Sequence, residues 1–260
     1  MAARARHASL TQSAAELWGS VEYRRLAERL APVHDKFVER LTIRRGERVL
    51  DVATGTGGVA IRAARAGAEV TGVDIAEPLL DVARASAEGA SIRFDVGDAQ
   101  NLPYDDAAFD VVASCFGAIF APDHRAVARE LARVTRRRLG LTAWRPNEGL
   151  GELYRRFGVD SPEGREPFRW GTDGYAEELL GEAFDLTVEP GTWVLEAADG
   201  EGIWQLWSTS APPFKAMLAG MEPEQLEAFH QAYVAYCEQF REDAAVRVPR
   251  EYLLILGTRR

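Results

Sequence analysis

The chain has 260 residues, 47% of them apolar and 27% charged, enough for one large domain or for a core with a sizeable insertion around a full hydrophobic centre. Its net charge of -9 excludes a nucleic-acid surface, which needs clustered Lys and Arg in excess; only two lysines occur, Lys36 and Lys215, and the basic run Arg136 to Arg138 reads as a solvated helix end. Two cysteines, Cys115 and Cys237, are too few for a disulfide framework. No run reaches about 18 apolar residues and the start has no signal-peptide core, so the expectation is a cytoplasmic chain outside membranes.

From Ser13 to about Leu41 the apolar residues Leu17, Val21, Leu26, Leu30, Phe37, Val38 and Leu41 recur at helical spacing, and Pro32 divides them into two predicted helices. Short β-like runs then alternate with helical ones. Glu47 to Val52 is a strand and Gly58 to Ala68 an Ala-rich helix; Glu69 to Asp74 is a strand, followed by a helix with Pro78 in its first turn and Gly89 as its stop. Ser91 to Asp98 is a strand, and Phe109 to Phe116 is a continuous apolar strand of the kind covered on both faces. Asp123 caps a helix that runs to Val134, with Val127, Leu131 and Val134 on one face, and Leu139 to Trp144 is a fifth strand. This alternation predicts an α/β fold, a doubly wound Rossmann-like sheet with helices on both faces and ligands outside the carboxyl ends of its strands.

After Trp144 the rhythm breaks. Residues Arg145 to Gly181 are rich in Gly, Pro and aromatics, and Phe184 to Ala197 reads as two strands around a Pro-Gly turn. A short helix with Trp204 and Trp207, a break at Pro212 and Pro213, a longer helix from Pro223 and a final strand from Glu251 to Arg259 complete the chain. Three parts are expected: an N-terminal helical cover (1–45), a nucleotide-binding core (46–144), and an insertion with the final core strands (145–260).

The chemistry lies in the loops. Gly55-Thr56-Gly57-Gly58-Val59-Ala60 opens a helix straight after a strand, and Asp74 follows nineteen residues after Gly55, at the end of the next strand. Glycines let the backbone approach a ligand, the helix N-terminus favours an anionic group, and a strand-end carboxylate can take both ribose hydroxyls. On these features NAD and S-adenosylmethionine compete evenly. Two others separate them. Asp51 precedes the glycines, where it is awkward beside a pyrophosphate but suits a ligand carrying an ammonium and a sulfonium. The third strand runs into "GDAQNLPYDDAAFDVV", which puts Asp98 at the next loop, where an acid and a neighbouring amide can meet an adenine edge.

With these residues in place, Leu30 to Trp144 resembles the class I S-adenosylmethionine-dependent methyltransferases, in particular the small-molecule branch that includes the ubiquinone and menaquinone enzymes. "RWG" at Arg169 to Gly171 and the ending "VPREYLLILGTR" are similar to the same branch. The resemblance implies a seven-stranded sheet and S-adenosylmethionine as cofactor, leaving as S-adenosylhomocysteine. It implies Asp51, Ala53 and Gly55 around the methionine part, Thr56 and Gly57 of the same turn as further cofactor-binding residues, Asp74 on the ribose diol, Ile75 on the adenine face, and Asp98 and Ala99 on the adenine edge. Ser114, Cys115 and Phe116 would face the reacting centre, with Trp18 or Tyr23 from the cover near the sulfonium or the carboxylate. One departure stands out: relatives write R-V-x-x-P-G-G-x-L before the fifth strand, and this chain writes "RVTRRRLGLTAW".

Other polar residues read as structural. Asp110 is a polar entry to a buried strand, and Cys115 is a small buried hydrophobe. His34, His124 and His230 are packing or surface residues, with His7 in a terminus, and no Cys/His cluster has metal spacing. The aromatics Phe157, Phe168, Trp170, Trp204, Trp207 and Phe214 serve either as lid core or as contacts to an apolar or aromatic small-molecule acceptor. Two alternatives stand beside methyl transfer. An NAD-dependent oxidoreductase would call for a proton donor such as Tyr-x-x-x-Lys, which the chain lacks; a non-catalytic S-adenosylmethionine-binding protein would have the same cofactor half.

Overall fold

A computed structural model of the chain describes residues 15–19, 22–159 and 166–260; Ser13, Val21 and His7, singled out above, lie outside them. Five parallel strands form the first part of the sheet: β1 (Arg48–Val52), β2 (Glu69–Asp74), β3 (Ile92–Val96), β4 (Phe109–Cys115) and β5 (Thr135–Trp144). Two long antiparallel strands, β6 (Phe184–Ala197) and β8 (Ala245–Arg259), extend it, and the two-residue β7 (Arg241–Glu242) pairs with β8 off the main path. The spatial order is β3-β2-β1-β4-β5-β8-β6. Strands β4 and β5 are buried along most of their length, and since successive residues point to opposite faces, helices must cover both sides. The predicted doubly wound sheet is therefore the observed one. Its order reverses between β1 and β4, so the loops that leave these neighbours diverge and open a crevice at their carboxyl ends.

Between the strands lie α3 (Gly58–Arg65) after β1, α4 (Glu77–Ser86) after β2 and α5 (His124–Val134) after β4. Helix α5 is capped as expected, the Asp123 carboxylate accepting from the Ala126 amide at 2.9 Å. The N-terminal cover differs from the two predicted helices. Residues 15–18 form a helical turn, followed by α1 (Tyr23–Arg29) and α2 (Ala31–Leu41). Pro32 does not break α2 but sits in its first turn, where its missing N–H costs nothing, and the division falls at Leu30. Phe37 and Leu41 of α2 press on Gly140 of β5, where any side chain would meet their carbons within 2.5 to 3.1 Å.

The shortened segment at Arg136 to Arg138 proves to be strand, not helix end. Helix α5 passes directly into β5 at Thr135, whose hydroxyl donates to the Leu131 carbonyl at 2.6 Å and so caps the helix without a glycine turn. One extra residue of β5 enters the sheet as a bulge: the three residues Phe109 to Val111 of β4 stand opposite the four residues Thr135 to Arg138 of β5. Arg136 and Arg137 reach Asp110 there, and Arg138 pairs with Glu47 at 2.7 Å. Asp110 also accepts from the Arg48 amide at 3.1 Å, the structural role its position suggested.

The second correction concerns Phe184 to Ala197, which is one fourteen-residue strand and not a hairpin. Pro190 pairs with Leu253 and Gly191 with Tyr252 inside an unbroken register. Proline is tolerated because β6 pairs only with β8, so its outer edge needs no donor. Gly191 is required because a Cβ would meet the Tyr252 ring at 2.3 Å. Strand β8 likewise starts six residues before the predicted Glu251; its Pro249 lies where β5 no longer pairs.

Around these strands lie α6 (Glu148–Arg156), α7 (Glu166–Arg169), α8 (Tyr175–Leu180), α9 (Gly200–Ser210), α10 (Pro212–Leu218) and α11 (Pro223–Glu238). Pro212 and Pro213 do not only break the chain; they open α10. No helix among the described residues is long and apolar enough to cross a membrane. Replacing Gly191 by Val forces the Tyr252 ring to move and is expected to cost about 1–3 kcal/mol of stability as overpacking; urea unfolding measures it, and an unchanged midpoint would refute the close approach.

Candidate functional site

The crevice at the β1/β4 switch encloses about 1040 Å³ and is partly open to solvent. The loops after β1, β2, β3 and β4 build it, and the N-terminal helices close it from above. The β1 and β4 loops meet tightly, since a Cβ at Gly117 would lie 2.8 Å from the Ala53 carbonyl oxygen. Ala53 (φ 54°) and Phe116 (φ 57°) both adopt the left-handed conformation there, which costs a non-glycine residue about 1–3 kcal/mol and marks a backbone held for a purpose.

Two buried carboxylates form the polar floor. Asp51, the penultimate residue of β1, accepts on Oδ2 from the Thr54 hydroxyl at 2.6 Å and the Ala60 amide at 3.0 Å. Its other oxygen takes no hydrogen bond among the described residues. Burial pushes the Asp51 carboxyl up to about 7, against the lowering effect of these two donors, and Asp74 raises it further. Asp74, at the end of β2, accepts from the Gly55 amide at 2.8 Å and from the Ala76 amide at 2.9 Å, one on each oxygen. Burial raises its pKa and the amides oppose the rise. Each oxygen keeps lone-pair capacity for a ligand hydroxyl.

Asp98 lies beyond β3, held by Gln100, whose amide N–H and side-chain nitrogen donate to it at 2.8 and 3.0 Å. Gln100 in turn accepts from the Asp123 amide at 3.1 Å, which ties this loop to the start of α5. Ala53, Gly55, Thr56, Ile75, Ala99 and Cys115 line the same cavity. Burial pushes the Cys115 thiol up to about 12, so it stays protonated. Tyr23 closes the top, its ring 3.7 Å from where a Cβ on Gly55 would stand and edge-on to Trp18 at 5.5 Å.

Two expected residues are not on the wall. Gly57 lies behind the loop at φ +83°, starting α3 against Ala83. Ser114 is fully buried beneath the floor, its hydroxyl accepting from the Ala118 amide at 3.0 Å and fixing the turn Ala118–Phe120.

One wall residue was read as packing or surface. His34 is 9% exposed, lines the cavity, and presses on Gly58, where a Cβ would clash with its ring at 2.5 Å. Burial holds its pKa down to about 4, so the imidazole is neutral, and none of its hydrogen bonds is formed with a described residue. Its place on the apolar stripe of α2 with Val33, Phe37 and Leu41 was the available signal. His124, by contrast, is a packing residue, bound to the Ile119 carbonyl and the Tyr175 hydroxyl, both at 3.1 Å. His230 stacks on Trp204 and pairs with Glu201. The described residues hold no cluster of three or more His, Cys, Asp or Glu fit for a metal ion.

A second cavity, about 840 Å³, adjoins the first across Trp18, Tyr23, Phe116 and Phe120, which line both. Its wall is aromatic: Phe116 stacks on Trp144 with centroids 3.7 Å apart, and Trp193, Trp207, Tyr154, Phe168, Phe214 and Tyr233 complete it. Of the aromatics singled out from the sequence, Phe168, Trp207 and Phe214 reach this cavity, whereas Phe157, Trp170 and Trp204 are packed elsewhere.

A reversed parallel sheet, a glycine turn after β1 and carboxylates at or just beyond successive strand ends define a Rossmann-like fold of the class I methyltransferase type. Residues 49–138 match the family model described as a methyltransferase domain. An uncharacterized protein of Mycobacterium tuberculosis is 39% identical over 174 residues, 64% of each chain, so the match spans less than two thirds of that relative's length. The demethylmenaquinone methyltransferase of Thermus thermophilus is 45% identical over 92 residues, 34% of this chain and 42% of that one. Among solved structures, the YcgJ protein of a Bacillus species superposes with a TM-score of 0.59 at 23% identity, covering 87% of this chain and 97% of that one. A chain described as the cyclase SpnF superposes with a TM-score of 0.55, also at 23% identity, over 88% of this chain and 81% of that one. At such identities the likeness concerns the fold.

Asp51 and His34 act on stability in opposite senses. The Asp51 carboxyl holds its proton more tightly when folded, at about 7 against an ordinary 3.8, so its burial loses stability as pH rises from about 4 through 7. His34, held at about 4 against 6.5, adds stability over nearly the same range. Asp51→Asn removes only the first contribution. The stability gap in favour of the variant should therefore widen from pH 4.5 to pH 7 and level off above; urea unfolding at pH 4.5, 6 and 8 reads it, and a constant gap would show that Asp51 titrates normally.

Proposed function

We propose that the protein is a methyltransferase that uses S-adenosylmethionine to methylate a small apolar or aromatic molecule. The observation that carries this reading is the placement of Asp51, Asp74 and Asp98 at the ends of three successive strands on one cleft, beside a second, aromatic cavity that shares a wall with it. When bound, S-adenosylmethionine supplies a methyl group activated by a sulfonium.

The residues present fit such a ligand. The unbonded oxygen of Asp51 suits its ammonium, Asp74 its ribose diol, and Ile75, Asp98 and Ala99 its adenine. Three aspartates with no Lys or Arg among the described lining residues favour a cationic ligand, which would draw the raised carboxyls of Asp51 and Asp74 into their charged form, and disfavour the pyrophosphate of NAD. Ala53, Gly55 and Thr56 bring the loop backbone to the ligand, with Gly57 behind them setting its turn. Tyr23 and Cys115 lie toward the shared wall, Tyr23 offering a ring face worth about 0.5–2 kcal/mol to a nearby cation. Ser114 supports this site from beneath.

We read residues 1–45 as the cover of the cofactor, 46–144 as the core that holds it, and 145–260 as the acceptor lid with the last sheet strands. In the reaction, the acceptor atom attacks the methyl carbon in line and S-adenosylhomocysteine leaves. Because the leaving group is already activated, the protein's main contribution is alignment, which can supply about 7–11 kcal/mol of the barrier.

Calorimetry separates the classes: S-adenosylmethionine and S-adenosylhomocysteine should bind and NAD should not, and the reverse would sink the reading. Asp74→Ala removes a charge-assisted bond worth about 1.5–3 kcal/mol and should weaken binding at least about tenfold. Unchanged affinity would refute the ribose assignment. Methyl transfer to a panel of phenols, quinones and amines then separates an enzyme from a protein that only binds the cofactor.

A further inference from the structure

Arg250 and Tyr154 of the aromatic cavity are engaged within the protein, so the hydrogen-bonding capacity it offers a ligand comes from other side chains. Tyr233, on α11, is only 4% exposed, and its ring packs among Trp204, Phe214 and Phe229 at centroid distances of 5.3 to 6.1 Å. Its hydroxyl forms no hydrogen bond with a described residue, and neither does the indole nitrogen of Trp144, a buried residue of β5. Neither atom is sealed off, however. Among the described residues the enclosed side-chain nitrogens and oxygens without a partner are Arg138 Nε and Trp170 Nε1. The Tyr233 hydroxyl and the Trp144 indole nitrogen therefore open onto the cavity that both residues line.

Both are donors. An indole N–H can only donate, and a phenol has a proton to donate for as long as it stays neutral. Burial secures that here by pushing the Tyr233 hydroxyl well above the usual phenol range. No acidic, amide, imidazole or aliphatic hydroxyl side chain, any of which would accept from a ligand, is among the described lining residues. A purely apolar ligand would strip these donors of water and leave them unpaired, which costs more than an ordinary hydrogen bond returns. A ligand whose polar edge is an N–H group would set donor against donor. A neutral oxygen that only accepts, as in a ketone, meets neither penalty. Tyr233 lines this cavity and not the cleft, so an oxygen held there is an anchor and not the atom that receives the methyl group.

We infer that the acceptor carries a carbonyl oxygen on its apolar ring system and that Tyr233 donates a hydrogen bond to it, with the Trp144 N–H as a second donor in the same cavity. The inference rests on the reading of this cavity as the acceptor site. It makes Tyr233 the residue that selects for the oxygen and fixes which way round the molecule lies.

Calorimetric titration of the full chain with 1-tetralone and with tetrahydroquinoline, at pH 7.5 with S-adenosylhomocysteine present, tests this with two neutral bicycles of similar size, one presenting a carbonyl and the other an N–H. The ketone should bind at least about fivefold more tightly. Tyr233→Phe keeps the ring and removes only the hydroxyl; it should weaken the ketone about three- to tenfold and leave tetrahydroquinoline within about twofold. Equal binding of the two probes by the unaltered protein, binding of neither, an unchanged ketone affinity in Tyr233→Phe, or parallel weakening of both probes in that variant would overturn the proposal. Titration with S-adenosylhomocysteine alone on the same preparations keeps the two readings apart: its failure to bind the unaltered protein would defeat the methyltransferase reading, whereas an absent carbonyl preference with normal cofactor binding would defeat this one alone.

Discussion

The adjacency of β1 and β4 is the constraint on which the rest of the site depends. Their parallel pairing through Val49, Leu50 and Asp51 joins two halves of the sheet whose helices depart in opposite directions, and the gap above them cannot be closed by backbone. The two loops leaving it pass so near each other that Gly117 admits no side chain beside Ala53, and both Ala53 and Phe116 are held left-handed. Such strain persists only because the paired strands on either side over-determine the loops. It sets the backbone of the β1 loop at the cleft floor and turns the Phe116 ring toward the wall that the two cavities share.

Electrostatics follow from that geometry. Strand ends at a switch point bring Asp51 and Asp74 below a common cavity, where desolvation raises both and backbone amides and a hydroxyl only partly oppose it. An apoprotein built this way carries an unfavourable pair of acids, which a cationic ligand relieves. His34 fits the same logic: kept neutral by burial, it adds a polar ring to the cleft without adding a charge that would repel such a ligand.

The C-terminal half supplies the second cavity through strands much longer than a nucleotide fold requires. β6 and β8 run side by side for fourteen pairs, and their ends past β5 carry Trp193 and Arg250. The Trp193 indole donates to the Arg29 carbonyl at 2.9 Å, so the strand that builds the aromatic wall also anchors the N-terminal cover. The N-terminal helices, the cleft and the aromatic cavity thus meet at shared side chains, since Trp18 and Tyr23 line both cavities.

Much of this was legible in the residues. Hydrophobic runs of strand length, Pro78 and Gly89 around one helix and the acids after β1, β2 and β3 determined the parallel sheet and the floor of the cleft, because strand-end spacing is a local property of the chain. What the sequence could not decide was anything set by a partner distant along it. Pro190-Gly191 reads locally as a turn, and only pairing with β8, with Tyr252 filling the space over Gly191, makes it strand. Arg136 to Arg138 read as a helix end until Asp110 and Glu47 drew them into the sheet as a bulge. Ser114 pointed toward the reaction by position, but its rotation about β4 turns it beneath the floor, while His34 enters the cleft from a helix whose contacts no spacing reveals. Order along the chain fixed which residues stand at the strand ends; long-range packing alone decided which of them face the cleft.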